Sequence, residues 1–280
     1  MARGRTRSVL AHRHRDGRAA RAPVELIVEE PLSIRMDDTL VATTMRTPGN
    51  DFELAVGFLH AEGLLEQAEV TAVRYCGTAS AADTEFNVVS VETVGPPRAV
   101  NGRLGTISSS CGLCGAEAID ELRARLHPLA VCEPMRAEVV GAVADRVRPL
   151  QSLFDSTGAV HAAASFDAAG EILDIREDIG RHNAVDKVVG RLALDRRLPA
   201  ASLGLFVSSR ASFEMVQKAW AAGFGTLIAV GAPSALAVET ARAGRLVLVG
   251  FARDGDMTVY SPQDPRWAEP ADRSHSDTHS

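Results

Sequence analysis

The chain has 280 residues, a formal net charge of −6, 46% hydrophobic and 24% charged side chains, and four cysteines. That is the make-up of a globular enzyme with enough chain for one large or two modest cores. No apolar run approaches the roughly 20 residues of a membrane helix, no signal-peptide h-region is present, and one Cys-x-x-Cys among four cysteines is not a secreted disulfide framework. The expected setting is the reducing cytoplasm. Among 30 cationic side chains only Lys187 and Lys218 are lysine, and both fall in motif-like segments, where a compact ammonium differs from a guanidinium fork.

Residues 1–22 hold seven arginines, Arg3, Arg5, Arg7, Arg13, Arg15, Arg18 and Arg21, against Asp16 alone. Such a segment suits a polyanion or a targeting peptide, but it lacks the periodicity of an amphipathic helix and is read as a disordered tail. Residues 23–105 read as a mixed α/β unit. Strands are expected at Glu25–Glu30, Ser33–Met36 and Leu40–Met45, with a turn at Asp37-Asp38. A helix over Phe52–Glu62 follows, capped by Asn50 or Asp51 and ended by Gly63. Two more strands are expected at Val70–Tyr75 and Glu85–Val91.

Residues 106–128 contain Ser110-Cys111-Gly112-Leu113-Cys114-Gly115 and a strong helix-forming run. A thiol at a helix start, among small residues, ionises readily and is accessible. Residues 129–260 read as a second α/β unit. Its expected elements are a hairpin (Ala159–Phe166, Glu171–Ile175), then alternating helices (His182–Leu194, Ser212–Ala221, Ser234–Arg242) and strands (Leu203–Val207, Thr226–Val230, Leu246–Phe251). Residues 261–280 are polar and read as a second disordered tail.

The unusual polar residues of this unit gather at strand ends, where α/β sheets bind ligands. They are Ser208-Ser209-Arg210, the stretch Asp178 to Lys187, and Phe251-Ala252-Arg253-Asp254-Gly255-Asp256. Together they suggest an anion pocket, although none matches a P-loop or dinucleotide fingerprint. His161 reads as a structural histidine.

Four thiol chemistries compete for Cys111 and Cys114. A structural zinc site lacks a second ligand pair, since Cys76 and Cys132 are isolated. A zinc deaminase needs Pro-Cys-x-x-Cys, and Ser110 stands where that proline would precede Cys111. A thioredoxin-like site would follow an early strand of a βαβ unit. A sulfur carrier, with an accessible thiolate beside an acceptor site, fits the arrangement best, though spacing alone leaves the choice open.

Four ordered motifs carry a resemblance. They are Ser110–Gly115, Asp178-Ile179-Gly180-Arg181-His182-Asn183-Ala184-Val185-Asp186-Lys187, Ser209–Lys218 and Gly250–Arg253; Arg46-Thr47-Pro48-Gly49 with Glu53–Leu59 adds to them. Over residues 23 to 260 the chain resembles the FdhD family of formate dehydrogenase accessory sulfurtransferases. The resemblance implies an α/β fold, with an α+β N-terminal unit and a three-layer, cytidine-deaminase-like C-terminal domain without the zinc signature. It implies a cytoplasmic sulfur carrier that takes persulfide sulfur from a cysteine desulfurase. The sulfur would pass to the molybdenum or tungsten of a bis-guanine-dinucleotide pterin cofactor, making formate dehydrogenase active. Cys111 would hold the persulfide, Cys114 would assist, and Phe251 to Asp256 would line the cofactor site. No bound metal of its own, no nucleic acid and no membrane are expected, and a homodimer is admitted. A cofactor-binding chaperone without sulfur transfer and a dithiol oxidoreductase remain the alternatives.

Overall fold

Asp16 and Gly17, at φ 50° and 73°, make a two-residue turn of the kind that right-twisted strands prefer. They join β1 (Thr6–Arg15) to β2 (Arg18–Ile27) in an antiparallel hairpin, with Arg15 opposite Arg18 and Thr6 opposite Ile27. The segment expected as a disordered tail is therefore a two-stranded arm. Asp-Gly between alternating residues was the signal; seven arginines masked it. The computed structural model describes residues 4–65, 68–75, 86–95, 120, 124–130 and 135–262. Most of the expected linking segment at 106–128, and residues 263–280 of the second tail, lie outside these.

The first sheet has the order β4-β3-β6-β5, built from β3 (Glu30–Met36), β4 (Thr39–Arg46), β5 (Glu69–Tyr75) and β6 (Val88–Val94). β3 runs parallel to β6, and the other neighbours are antiparallel. Asp37 and Asp38, both at positive φ, turn β3 into β4 as expected. β6 starts three residues later than the sequence suggested. One helix, α1 (Asp51–Ala61), lays Leu54, Ala55, Phe58 and Leu59 on Leu32, Ile34, Val89 and Val91. Asn50 precedes it in the left-handed conformation, and Gly63 at φ 71° follows its end.

The second sheet has the order β12-β11-β10-β9-β7-β8. Its parallel centre is β9 (Gly204–Val207), β10 (Thr226–Ala229) and β11 (Val247–Arg253). Antiparallel β12 (Asp256–Ser261) borders one side, and the hairpin β7 (His161–Phe166) and β8 (Ile172–Asp178) borders the other. The central strands are mostly apolar and buried, as parallel strands covered on both faces are. On one face lie α4 (Arg181–Leu194), α5 (Phe213–Ala221) and α6 (Ala235–Gly244), which contribute Val185, Val188, Met215, Trp220 and Ala241 to the largest core. On the other face α2 (Ala137–Val147) packs Val140, Val143 and Val147 against Phe166, Phe206, Ile228 and Val249. A 3-10 turn (Arg148–Leu150) then leads to the short α3 (Ser152–Thr157). The result is the expected mixed α/β, three-layer architecture. The sequence reading missed α2, α3 and β12.

The two sheets are joined through α1 and α4. A side chain on Gly57 would put its Cβ 1.8 Å from the Asp186 carbonyl oxygen, and one on Gly190 would lie 1.8 Å from that of Glu53. The helices thus cross at backbone contact, which only two glycines permit.

Candidate functional site

The stretch Asp178–Lys187 performs a different task from the anion binding expected of it. Asp178 is fully buried. Its Oδ2 accepts from Lys187 Nζ at 2.7 Å and from the Thr47 amide at 3.1 Å. Its Oδ1 accepts from the Gly180 amide at 2.8 Å and from Asn183 Nδ2 at 3.0 Å. Lys187 Nζ also donates to the Thr47 carbonyl at 2.9 Å, and Asn183 Nδ2 to that of Met45 at 2.7 Å. Lys218 Nζ bonds Asp186 at 2.7 Å. On the first sheet's side, Arg46 grips Asp51 through two nitrogens, at 3.0 and 2.9 Å.

Burial, the largest influence, lowers the Lys187 pKa and raises that of Asp186, while their ion-pair partners pull the other way. Charges this deeply paired cannot serve a phosphate; they fasten β4 and the α1 entry to the second unit. Both lysines of the chain occur here, where an ammonium can direct its three donors within little space.

The opening lies at the carboxyl ends of the central strands, where β7 also begins. A cleft of about 590 Å³ is lined there by Asp145, Arg148, Gln151, Phe154, His161, Phe206, Ser208, Ala252, Arg253 and Asp254, among others. That volume suits a nucleotide-sized ligand. Of the expected cofactor-lining residues, Ala252, Arg253 and Asp254 face this cleft, while Phe251, Gly255 and Asp256 are not part of its lining. The expected loop at 251–256 is in fact a strand end and a tight turn. Arg253 pairs with Asp256 across Asp254 and Gly255, at φ 53° and 78°. Phe251 holds φ 54° and is 46% exposed; a bulky side chain at positive φ marks local strain.

Arg148 stands 5.0 Å over the Phe154 ring and 2.7 Å from Asp155, so its guanidinium is held beside the cleft. The Asp254 amide bonds Asp145 Oδ1 at 3.3 Å, which places two carboxylates at one end. Glu177 accepts from the Leu153 and Phe154 amides at 2.9 and 2.8 Å, capping α3 from a neighbouring strand. Ser208 Oγ accepts from the Ala162 amide at 2.9 Å. His161, expected to be structural, lines the cleft. Burial, followed by the positive Arg181 and the neighbouring His182, pushes its pKa down. At neutral pH it is an uncharged imidazole able to donate or accept.

A second histidine lies at the start of α4. Both ring nitrogens of His182 are buried without a hydrogen-bond partner, and Nε2 stands 3.9 Å from Glu214. His182, together with a 2.6 Å bond from Ser212 Oγ, holds the Glu214 carboxyl down at about 2 against the effect of burial.

Asp145, Arg148, Gln151 and Phe154 escaped sequence reasoning because residues 129–158 were left without elements. The spacing of Val140, Val143, Ala144 and Val147 is helical, and would have found α2. Cys111 and Cys114, the expected catalytic pair, lie outside the described residues, as do Cys76 and Cys132. Among the described residues, no group of three His, Cys, Asp or Glu side chains is placed to hold a metal ion.

The fold defines a mixed α/β protein with an open cleft at the carboxyl edge of its larger sheet. A model of the FdhD/NarQ family matches residues 27–265. Sulfur carrier protein FdhD of Streptomyces coelicolor is 46% identical over 260 residues, covering 90% of this chain and 92% of that one. Sulfur carrier protein FdhD of Mycobacterium tuberculosis is 45% identical over 253 residues, covering 86% and 91%. A crystal structure of a putative formate dehydrogenase accessory protein from Desulfotalea psychrophila superposes with a TM-score of 0.72 at 20% identity, over 93% of this chain and 98% of that one. The chain belongs to the FdhD/NarQ family.

Proposed function

We propose that this protein is a sulfurtransferase of the cytoplasm that carries sulfur for the maturation of formate dehydrogenase. The observation that carries the reading is the family match over residues 27–265, with relatives named sulfur carrier proteins that align along nearly their whole length. The Cys111 thiolate attacks the outer sulfur of a cysteine desulfurase persulfide. The donor's S–S bond breaks, its cysteine leaves as thiolate, and Cys111 holds the new persulfide. Attack by Cys114 on Cys111 Sγ then releases the outer sulfur as hydrosulfide and leaves a Cys111–Cys114 disulfide, which a cellular dithiol reduces. The sulfur goes to the molybdenum or tungsten of the client's bis-guanine-dinucleotide pterin cofactor.

That cofactor is cargo, and the cleft is its proposed seat, with Phe251 to Asp256 at or beside the rim. The donor set fits it. Arg148 and Arg253 suit phosphates, Phe206 and Phe154 offer apolar surface, and Asp145 and Asp254 can accept from the ring N–H and amino groups of a guanine. The acidic end and the basic residues then fix which way the ligand lies. Cys111→Ala should abolish activation of formate dehydrogenase while guanine nucleotide binding persists. Full activation by that variant would leave a chaperone that only binds the cofactor.

A further inference from the structure

The β1–β2 arm has no role in the site described above. Among the described residues each strand pairs only with the other, so neither outer edge has a strand partner there. At ten residues a strand, the arm is about 30 Å long. Its base is tied down: Arg5 Nη2 donates to the Glu177 carbonyl at 3.1 Å, the Val28 amide to that of Arg5 at 2.9 Å, and β2 also touches α3. Arg7, Arg13, Arg15, Arg18 and Arg21 are all exposed. No carboxylate among the described residues lies within ion-pair distance of any of them, whereas Arg46, Arg148, Arg176, Arg191 and Arg197 are all paired. The register puts Leu10, Pro23, His12 and Arg21 on one face, with Leu10 62% exposed; Leu26 on the other face is 47% exposed. A two-stranded ribbon exposed on both faces gains little from water alone.

We propose that the arm is a docking element for an acidic protein surface with an apolar patch, belonging to a partner in the sulfur relay. Arg7, Arg13, Arg15 and Arg18 share a face with Leu26, and Arg21 shares the other with Leu10 and Pro23; arginines beside exposed apolar side chains make the composition of a protein interface. Charge selects among the other occupants. Residues 1–27 hold seven of the 30 cationic side chains but two of the 36 acidic ones, so the body behind the arm is strongly acidic. That body repels an extended polyanion such as duplex DNA or an anionic membrane, but tolerates an acidic protein segment that meets the arm alone. Two copies of the arm repel each other, and arginines along a free edge also oppose strand-to-strand aggregation.

The inference rests on the sulfur-carrier reading for its choice of partners, so the test follows the relay at both ends. The full chain and an Arg13→Ser, Arg15→Ser, Arg18→Ser, Arg21→Ser variant are titrated against a cysteine desulfurase and against apo-formate dehydrogenase, at low and high salt. Unchanged melting and circular dichroism confirm that the variant is folded, and a four-lysine variant keeps the charge. The expected result is an affinity for one of the two proteins that drops about tenfold or more in the serine variant, is retained with lysine, and converges at high salt. Equal binding of the serine variant and the unaltered chain, or no binding of either protein, overturns the proposal. So does arm-dependent binding to a short DNA duplex or to phosphatidylglycerol vesicles in place of the proteins. Persulfide on Cys111, measured in the same desulfurase reaction, reports separately on the sulfur-carrier reading.

Discussion

The joint between the sheets and the cleft at the carboxyl edge use the same kinds of side chain to opposite ends. At the joint, Asp178, Asp186, Lys187 and Lys218 are fully or almost fully buried, and each charge has a partner within 2.7 Å. At the cleft, Arg253 and Asp254 are exposed, and Arg148 is held by Asp155 and Phe154 but still lines the opening. Charge that is satisfied within the chain builds the fold; charge left open to the cleft is available to a ligand. The motif Asp178–Lys187 is rich in ionisable groups, yet most of them belong to the first category.

The most severe way to break the comparison is to unpair the joint. Lys187→Met leaves Asp178 buried with its amide donors but no cation, and should cost about 3–5 kcal/mol in urea denaturation; a loss below about 1 kcal/mol would show that the pair is incidental. Gly57→Ala forces the α1–α4 crossing apart, since the new Cβ meets the Asp186 carbonyl. Overpacking of that kind costs about 1–3 kcal/mol, read as a lower melting temperature, and an unchanged one would mean the crossing yields freely.

At the cleft the effects should fall on binding. Arg253→Ala should weaken guanosine diphosphate about tenfold by calorimetric titration with melting unchanged, since one charge-assisted bond is lost; undiminished affinity would remove Arg253 from the site. The smallest effect is a pH dependence. Glu214 lies near 2 in the folded protein against an ordinary 4.5, so its stabilisation is complete above 4.5 and is lost as pH falls toward 2. Glu214→Gln should flatten the fall in melting temperature over that window, and parallel profiles would contradict the His182 contact.

Much of this architecture was legible in the sequence. Helical spacing located α1, α4, α5 and α6, and short apolar runs located β7 to β11, because each of these elements buries a face and burial imposes a period. The arm was missed because its alternation carries arginine where a sheet in a core would carry valine. The helix α2 was missed because its apolar stripe is narrow and its ends are unmarked: neither a side-chain cap nor a terminal glycine bounds it. The site was legible in part. Strand-end reasoning reached Ser208 and Ala252–Asp254, since the carboxyl edge of a parallel sheet is open wherever helices diverge. It could not tell open charge from paired charge in Asp178–Lys187. That distinction depends on Thr47 and Met45, which lie more than 130 residues away.

The measurement closest to the central claim is the intact mass of the purified protein after incubation with a cysteine desulfurase and cysteine, with and without reductant. A reductant-labile gain of one sulfur atom, mapped to Cys111 and absent in Cys111→Ala, is the expected result. No sulfur adduct on Cys111, even in Cys114→Ala where the releasing thiol is absent, would contradict sulfur carriage.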